Sequence, residues 1–211
     1  VEISLDEQLI LASDLTGFDP ALADLFGLWG LEYGGGGCDE ASAMGYECVS
    51  QRGSWTSLRQ LDRPAILTLV DSRGDSHSAL LTAINGQRAD LSIGGVSVSH
   101  AIDDISSLWF GQFLLMWRPV SADAATLGAG VRGPAVLWLR QSLAAIDERY
   151  AASPPDSDYY DEGLASRVRE FQRDQRLAVD GYAGRQTQII INTLIAPDAV
   201  PTLTTLRLAR D

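Results

Sequence analysis

The sequence predicts an α+β fold in two domains, residues 1–120 and residues 121–211. Near its start, apolar residues recur at helical spacing. Beyond residue 65 they occur instead in short runs of strand-like length, separated by turn residues. Residues 119–133 are rich in Ala, Gly, Ser and Pro, a composition typical of a linker, and a region of helical spacing follows them.

Helix-start signals open the first domain. Ser4 and Glu7 have the spacing of a capping box, in which each side chain bonds the backbone of the other residue. Asp19 followed by Pro20 predicts a second helix, with Asp19 as its N-cap. The segment Cys38–Ala41 predicts a third, short helix. The apolar residues of the second helix repeat at helical spacing: Leu22, Leu25, Phe26 and Trp29.

Four short apolar runs then predict strands: Ala65–Val70, Ser78–Ile84, Ala89–Ile93 and Phe113–Trp117. Residues 71–75 and the pair Asn85-Gly86 are turn signals between them, because Gly and Asn tolerate the backbone angles of tight turns. Helices followed by an antiparallel meander are therefore expected.

The charge of the chain argues against two classes of partner. Sixteen basic residues, all Arg, stand against 28 Asp and Glu, a net charge of −12. Residues 1–120 hold six Arg and sixteen acidic residues (−10), whereas residues 121–211 hold ten and twelve (−2). Neither nucleic acid nor anionic lipid is expected as a partner, because both bind clusters of Lys and Arg. No apolar run reaches the ~18 residues of a membrane span, and no basic signal region opens the chain, so we expect a fragment of a larger protein.

The two cysteines, Cys38 and Cys48, allow two interpretations. A disulfide is expected in an oxidising compartment. Alternatively, Cys38 is a catalytic thiol, because a helix N-terminus would lower its pKa and His77 could serve as its base.

Residues 38–118 resemble the double-glycine peptidases, which are papain-like. The stretch GDSHSALLTAING, with His77, is similar to the strand that carries their catalytic histidine, and LWFGQFLLMW is similar to their closing segment, with Trp109 and Gly111 in place. The glutamine of their oxyanion hole is replaced by glycine in the run Gly34–Gly37, and Ile93–Gly95 stands where their orienting Asp-Pro belongs. We therefore expect a degenerate domain without catalytic residues.

Three helical patterns make up the second domain. The first runs through VRGPAVLWLRQSLAAI, the second through LASRVREFQRDQRL and the third through QIIINTLI. A polar insertion with Pro154-Pro155 separates the first two, and it contains the pair Tyr159-Tyr160. The residues expected to form the core of the bundle are Leu139, Leu143, Val168, Phe171, Ile190 and Leu194.

The second domain resembles the three-helix peptidoglycan-binding module of cell-wall hydrolases. The match rests on Val168, Phe171, Gln172, Leu177, Asp180, Gly181, Gly184 and Thr187. The predicted binding residues are Asp180, Gly181, Tyr182, Gly184, Arg185, Gln186 and Thr187. In this prediction the glycines allow tight turns, while Arg185 and Tyr182 suit a stem-peptide carboxylate and the apolar face of a sugar. The alternative is that Asp180, Gly181, Gly184 and Thr187 only cap and connect two helices.

A degenerate papain-like domain followed by such a module resembles the periplasmic region of the general secretion pathway protein A family. This resemblance implies a type II secretion assembly role that places the secretin across the cell wall. It also implies a periplasmic location within an inner-membrane protein, a cytosolic ATPase domain elsewhere, and general secretion pathway protein B as partner; a homo-oligomer is a further candidate assembly. Neither a cofactor nor a metal is expected. The alternative functions are a cysteine peptidase or amidase that uses Cys38 and His77, and a protein scaffold that has lost wall binding.

Overall fold

The computed structural model describes residues 3–121 and 126–204, and these form two compact units. The first unit contains residues 3–117 together with residues 198–204, and the second is Arg118–Pro197. The C-terminal segment thus groups with the first unit, whereas the sequence assigned it to the second. Thr202 and Leu203 are buried, and the Thr204 hydroxyl donates to Asp62 Oδ2 at 2.8 Å, so local burial and bonding hold this segment.

Five α-helices belong to the first unit. They are α1 (Leu5–Leu11), α2 (Phe18–Leu28), α3 (Gly37–Ala43), α4 (Trp55–Leu61) and α5 (Ile102–Leu108). The capping box predicted at Ser4 and Glu7 is present at the start of α1. Asp19 is not the N-cap of α2: Gly17 holds that position, and Asp19 and Pro20 lie in the first turn. An acidic residue and a proline both fit there, because that turn has unbonded N–H groups and a positive dipole end.

Six antiparallel strands form the sheet of this unit. They are β1 (Glu47–Arg52), β2 (Ala65–Val70), β3 (Ser76–Asn85), β4 (Arg88–Ile93), β5 (Val96–Ala101) and β6 (Trp109–Trp117). Their order is β1-β6-β2-β3-β4-β5: β2, β3 and β4 form a meander that β5 extends, while the fourth predicted strand, β6, lies on the other side beside β2, followed by β1. The sequence did not predict β1 or β5. Both lie at the edges, where one neighbour is missing and the apolar pattern is weaker.

Helix α2 covers one face of the sheet. Leu22, Leu25 and Phe26 are fully buried and pack with residues of the central strands: Ile66, Leu80 and Met116. The aromatic ring of Phe26 meets Tyr33 edge-on at 5.0 Å, at the entrance to α3. This cluster fixes the position of α3, which carries Cys38.

The second unit is a three-helix bundle with a two-stranded ribbon. Its elements are α6 (Pro134–Ile146), α7 (Glu162–Asp174), α8 (Arg185–Ile195), β7 (Thr126–Leu127) and β8 (Ala183–Gly184). Five of the six predicted core residues are buried: Leu139, Leu143, Val168, Phe171 and Ile190. The prediction for Leu194 was wrong, since it is 45% exposed in the last turn of α8. Ile191 is fully buried in the core of the bundle and lies one turn earlier on the same helix.

The insertion between α6 and α7 is held by a buried arginine. Arg140 is 1% exposed, and its guanidinium donates to the carbonyls of Ser157 (3.1 Å) and Tyr159 (2.8 Å) and to Asp161 Oδ2 (2.9 Å). Asp161 is also the N-cap of α7, where it accepts from the N–H of Leu164 at 2.7 Å. Arg140 therefore links the middle of α6, the insertion and the start of α7.

Replacing Arg140 by methionine should destabilise the second unit by on the order of 3 kcal/mol, because the variant leaves a carboxylate and two carbonyls without their buried donor. Native-state hydrogen exchange of α6 and α7 amides in the full chain measures this change. Arg132→Met is the matched control, since the Arg132–Asp158 ion pair is largely exposed. Its effect should stay below about 1 kcal/mol. Equal effects of the two substitutions would contradict the role given to Arg140.

Candidate functional site

The two cysteines are joined. Cys38, near the start of α3, and Cys48, in β1, form a disulfide with a Cα–Cα distance of 5.8 Å, as predicted. A sulfur in a disulfide cannot act as a thiolate nucleophile. The alternative hypothesis of a catalytic thiol at Cys38 therefore does not fit the folded, oxidised chain.

Backbone N–H groups just ahead of Cys38 are hydrogen-bonded to a carboxylate. Glu40 accepts from the N–H of Gly34 at 2.8 Å and from the N–H of Gly36 at 3.0 Å, while the Tyr33 hydroxyl accepts from Gly37 at 3.2 Å. An oxyanion hole needs N–H donors that point at the reacting carbonyl oxygen. Here the N–H groups of Gly34, Gly36 and Gly37 are already bonded within the protein.

His77 is buried on β3, and both of its ring nitrogens have partners. Nδ1 lies 2.7 Å from the Thr16 hydroxyl, and Nε2 lies 3.2 Å from Asp71 Oδ2. The order Thr16, His77, Asp71 has the connectivity of a catalytic triad, in which a hydroxyl nucleophile, a histidine base and a carboxylate are bonded in turn. Thr16, however, is only 2% exposed, and its hydroxyl also bonds the carbonyl of Ser13. No substrate carbonyl can reach it, so the three side chains tie the segment after α1 to the sheet.

Asp71 is the buried charge of this cluster. Burial raises the pKa of its carboxyl, but hydrogen bonds from the N–H of Asp75 (2.8 Å), from His77 and from the N–H of Arg73 (2.9 Å) outweigh it, so the pKa lies below the ordinary value. The sequence analysis missed this partner of His77, because Asp71 lay in a stretch that served only as a turn signal. The other histidine, His100, is also buried, and its Nε2 bonds Gln8 Oε1 at 3.1 Å.

The depressed pKa of Asp71 predicts a specific acid sensitivity. Its carboxylate stabilises the fold above the unfolded pKa of about 3.9, and this contribution is lost as the pH falls through the lower folded-state pKa. Asp71→Asn should lower the melting temperature (Tm) at pH 7 and flatten the fall of Tm below about pH 4. Circular dichroism melts between neutral and acidic pH measure both effects. Asp75→Asn, an exposed carboxylate in the same turn, is the control and should behave like the parent.

We expect no peptidase activity even when the Cys38 thiol is liberated. The variant Cys48→Ala provides that thiol, but Glu40 still accepts from the N–H groups of Gly34 and Gly36, and the buried Thr16 hydroxyl still occupies His77 Nδ1. Incubation with a double-glycine leader peptide and with muropeptides, followed by mass spectrometry, should show no products. Turnover by Cys48→Ala that is absent from Cys38→Ala would overturn this prediction.

In the second unit, one buried amide organises the predicted binding loop. Gln172 of α7 is 2% exposed, and its Oε1 accepts from the N–H groups of Asp180 (3.1 Å) and Gly181 (2.9 Å). Its Nε2 donates to Asp180 Oδ1 and to the carbonyl of Tyr182, both at 2.9 Å. Four bonds from one side chain therefore fix the backbone of the loop.

The seven predicted site residues fall into two groups. The first group holds the loop together through turn, cap or buried positions: Asp180, Gly181, Gly184 and Thr187. Asp180 bonds Gln172 and the N–H of Tyr182, Gly181 has a positive φ of 77°, and Thr187 is buried. Gly184 does not form the tight turn expected of it. Its backbone is extended, in β8, and it is the N-cap of α8. The second group is Tyr182, Arg185 and Gln186, which are exposed; Asp180 is exposed too, but its carboxylate is bonded within the loop.

Two further residues belong to this surface, and the sequence did not reveal them. The ring of Tyr182 rests on Gly128, where a Cβ atom would collide with it, yet the residue stays 51% exposed. The guanidinium of Arg169 lies against Gly181, and its Nη1 donates to Glu162 Oε1 at 2.7 Å. Gly128 is distant from the loop in sequence, and Arg169, although it lies between Val168 and Phe171 of the motif, is brought to the loop only by the packing of α7.

The insertion between α6 and α7, with its pair Tyr159-Tyr160, is a second place where a ligand could bind, but only one of the two tyrosines is accessible. Tyr160 is buried, and its hydroxyl donates to the carbonyl of Gly181 at 2.6 Å. Tyr159 is 36% exposed, and the guanidinium of Arg132 lies 4.2 Å from its ring centroid. The structure therefore offers a second exposed Tyr–Arg pair, which allows a matched comparison with the loop.

Two further features, a metal-binding cluster and a membrane-spanning helix, are absent from the described part of the chain. Residues 3–121 and 126–204 contain no group of three His, Cys, Asp or Glu side chains arranged to hold a metal ion. Within the same residues, no helix has the length and apolarity needed to cross a bilayer.

Residues 132–191 match the family described as putative peptidoglycan binding domain. The chain is 30% identical over 189 residues to general secretion pathway protein A of Aeromonas hydrophila, an alignment that covers 88% of this chain and 34% of that protein. It is 26% identical over 172 residues to a putative general secretion pathway protein A of Escherichia coli, covering 80% and 34%. The chain thus spans about a third of the length of these curated relatives.

A solved structure resembles most of the chain. It is a periplasmic domain of the EpsAB fusion protein of the Vibrio vulnificus type II secretion system, with a TM-score of 0.61 and 24% identity, covering 93% of this chain and 86% of that one. This likeness confirms the predicted α+β class, and the family match confirms the helical module that follows the sheet unit. The resemblance to general secretion pathway protein A that the sequence predicted is confirmed as well.

Proposed function

We propose that this relative of general secretion pathway protein A binds peptidoglycan through its second unit and is not itself an enzyme. The observation that carries the proposal is the match of residues 132–191 to the peptidoglycan-binding family, on a module whose loop leaves Tyr182 and Arg185 exposed. The first unit contributes no hydrolysis, since Cys38 is in a disulfide and His77 is buried.

The chemistry of the exposed loop suits a glycan that carries peptide stems. The free face of Tyr182 can lie against the apolar face of a sugar ring. Arg185, in the first turn of α8, and Arg169, beside Gly181, present guanidinium groups that suit carboxylates. Gly184, the N-cap of α8, has no side chain, and the positive end of the helix dipole also favours a negatively charged group there.

The buried residues of the motif support this surface without forming it. Gln172 and Asp180 hold the backbone between α7 and α8, so the loop is arranged before the ligand arrives. A prearranged site loses less conformational entropy on binding. We therefore assign Gln172, Asp180, Gly181 and Thr187 a positioning role, and Tyr182, Arg185, Gln186 and Arg169 direct contact.

The wider role is also a proposal. By analogy with the relatives, the chain acts in the periplasm, as part of an inner-membrane protein, where wall binding helps place the type II secretin across the peptidoglycan layer. Its partner would be general secretion pathway protein B, docked on the first unit. The net charge of −10 on residues 1–120 should speed this association more than it strengthens it. Single contacts of the wall site are weak, so several copies of the chain would bind the polymer more tightly than one.

Sedimentation with purified sacculi tests the wall site through two matched pairs of variants. In the loop, Tyr182→Ala and Arg185→Ala should each reduce the bound fraction several-fold and barely change Tm, because partly exposed contacts are removed. In the insertion, Tyr159→Ala and Arg132→Ala remove an equivalent exposed pair and should bind like the parent. Phe171→Ala should unfold the module instead, since truncating a buried Phe costs about 3–5 kcal/mol.

The reverse result, loss of binding only in the insertion variants, would move the site to the Arg132–Tyr159 pair. If all four variants and the parent failed to sediment with sacculi, wall binding would be refuted. The second unit would then be a protein-interaction scaffold.

A further inference from the structure

The sheet of the first unit has two edge strands, β1 and β5, and one of them is capped. The N–H of Ile102 donates to the carbonyl of Gln87, and this pair continues the β4–β5 register. Because bonded and non-bonded pairs alternate in an antiparallel ladder, the backbone of Ser99 points away from β4. Its carbonyl accepts from Arg88 Nη2 at 2.7 Å. An arginine thus covers the middle of the β5 edge.

No described side chain is seen to bond the backbone of the other edge, β1, in this way. The N–H of Gly53 donates to the carbonyl of Gly111, in the register that pairs β1 with β6. By the same alternation, the N–H and C=O groups of Cys48, Ser50 and Arg52 point away from β6. Ser50 and Arg52 are exposed, and none of the described residues forms a strand on that side.

The β1 strand is also regular and rigid. All six of its residues pair with β6 without a register shift, and it contains no proline. Cys48 is tied to α3 by the disulfide, Val49 is buried, and Glu47 accepts from Trp117 Nε1 at 3.1 Å. Proteins usually protect such an edge with a bulge, a proline, a central charge or a covering segment. Residues 49–51 at the centre of β1 have no bulge, proline or charge, and no strand among the described residues covers them.

We propose that β1 accepts an extended segment of another protein as a seventh strand. Main-chain hydrogen bonds to Ser50 and Arg52 would provide the affinity, as in other strand additions. The segment should be basic at the end that lies beside Glu47. Cys48, the next residue, is bonded to Cys38, and the exposed Asp39 that follows Cys38 is a second acidic residue. A second copy of this chain is disfavoured as the occupant, because residues 1–120 of each copy have a net charge of −10 and would repel each other. This inference does not depend on wall binding by the second unit.

The probe is a blocked peptide in which two lysines precede alternating threonine and valine, added to the full chain. Amide hydrogen exchange measured by NMR should slow about tenfold or more at Ser50 and Arg52 as the peptide saturates. The amides of Ser99 and Ala101, on the capped β5 edge, should not change. Two control peptides define the contacts: one has alternate backbone nitrogens methylated, and the other has glutamates in place of the lysines. Neither should protect Ser50.

Two protein variants make the test specific. Ser50→Pro removes an N–H that points away from β6, so it should keep the fold and Tm but abolish peptide binding. Ser50→Thr retains that N–H and should bind like the parent. Should Ser50→Pro fail to fold, the methylated peptide alone decides whether main-chain bonds are used.

Several outcomes would overturn the proposal. They are no protection at millimolar peptide, equal binding by folded Ser50→Pro, and equal binding of the glutamate peptide. Protection of Ser50 and Arg52 that grows with the concentration of the chain alone would also overturn it, because the occupant would then be a second copy.

Discussion

Gln172, Arg140 and His77 are almost completely buried polar side chains, and each must be hydrogen-bonded where water cannot reach it. Meeting this requirement shapes both units. Gln172 arranges the loop between α7 and α8, Arg140 orders the insertion after α6, and His77 fixes the segment that follows α1 to the sheet. The exposed Tyr182 and the guanidinium of Arg169 have defined positions because the loop backbone behind them is held.

A disulfide and hydrogen bonds also occupy the peptidase-like groups of the first unit. Cys38 is bonded to Cys48, the N–H groups of Gly34 and Gly36 are bonded to Glu40, and His77 lies between Thr16 and Asp71. A unit without a reactive centre can still bind a partner, and the acidic surface and the open edge of β1 are properties suited to that task.

Local patterns in the sequence predicted much of this architecture. The capping box at Ser4, the four apolar strands, the three helices of the second unit and the Cys38–Cys48 disulfide all depend on residues close together in the chain. The binding motif was also visible, because Gln172, Asp180 and Gly181 lie within ten residues of one another. Hydrophobic periodicity and turn residues are local patterns, so they predict features that depend on neighbouring residues.

The tertiary structure alone decided which residues of the motif face solvent and which distant residues join them. Tyr182 is exposed and Thr187 is buried, although both lie in the same motif. Gly128, Arg169 and Asp71 acquired their roles only through folding. The edge positions of β1 and β5 likewise depend on strand order, which the sequence pattern does not contain. These features arise from packing between segments far apart in the chain, where burial and hydrogen-bond partners are set by the whole fold rather than by local spacing.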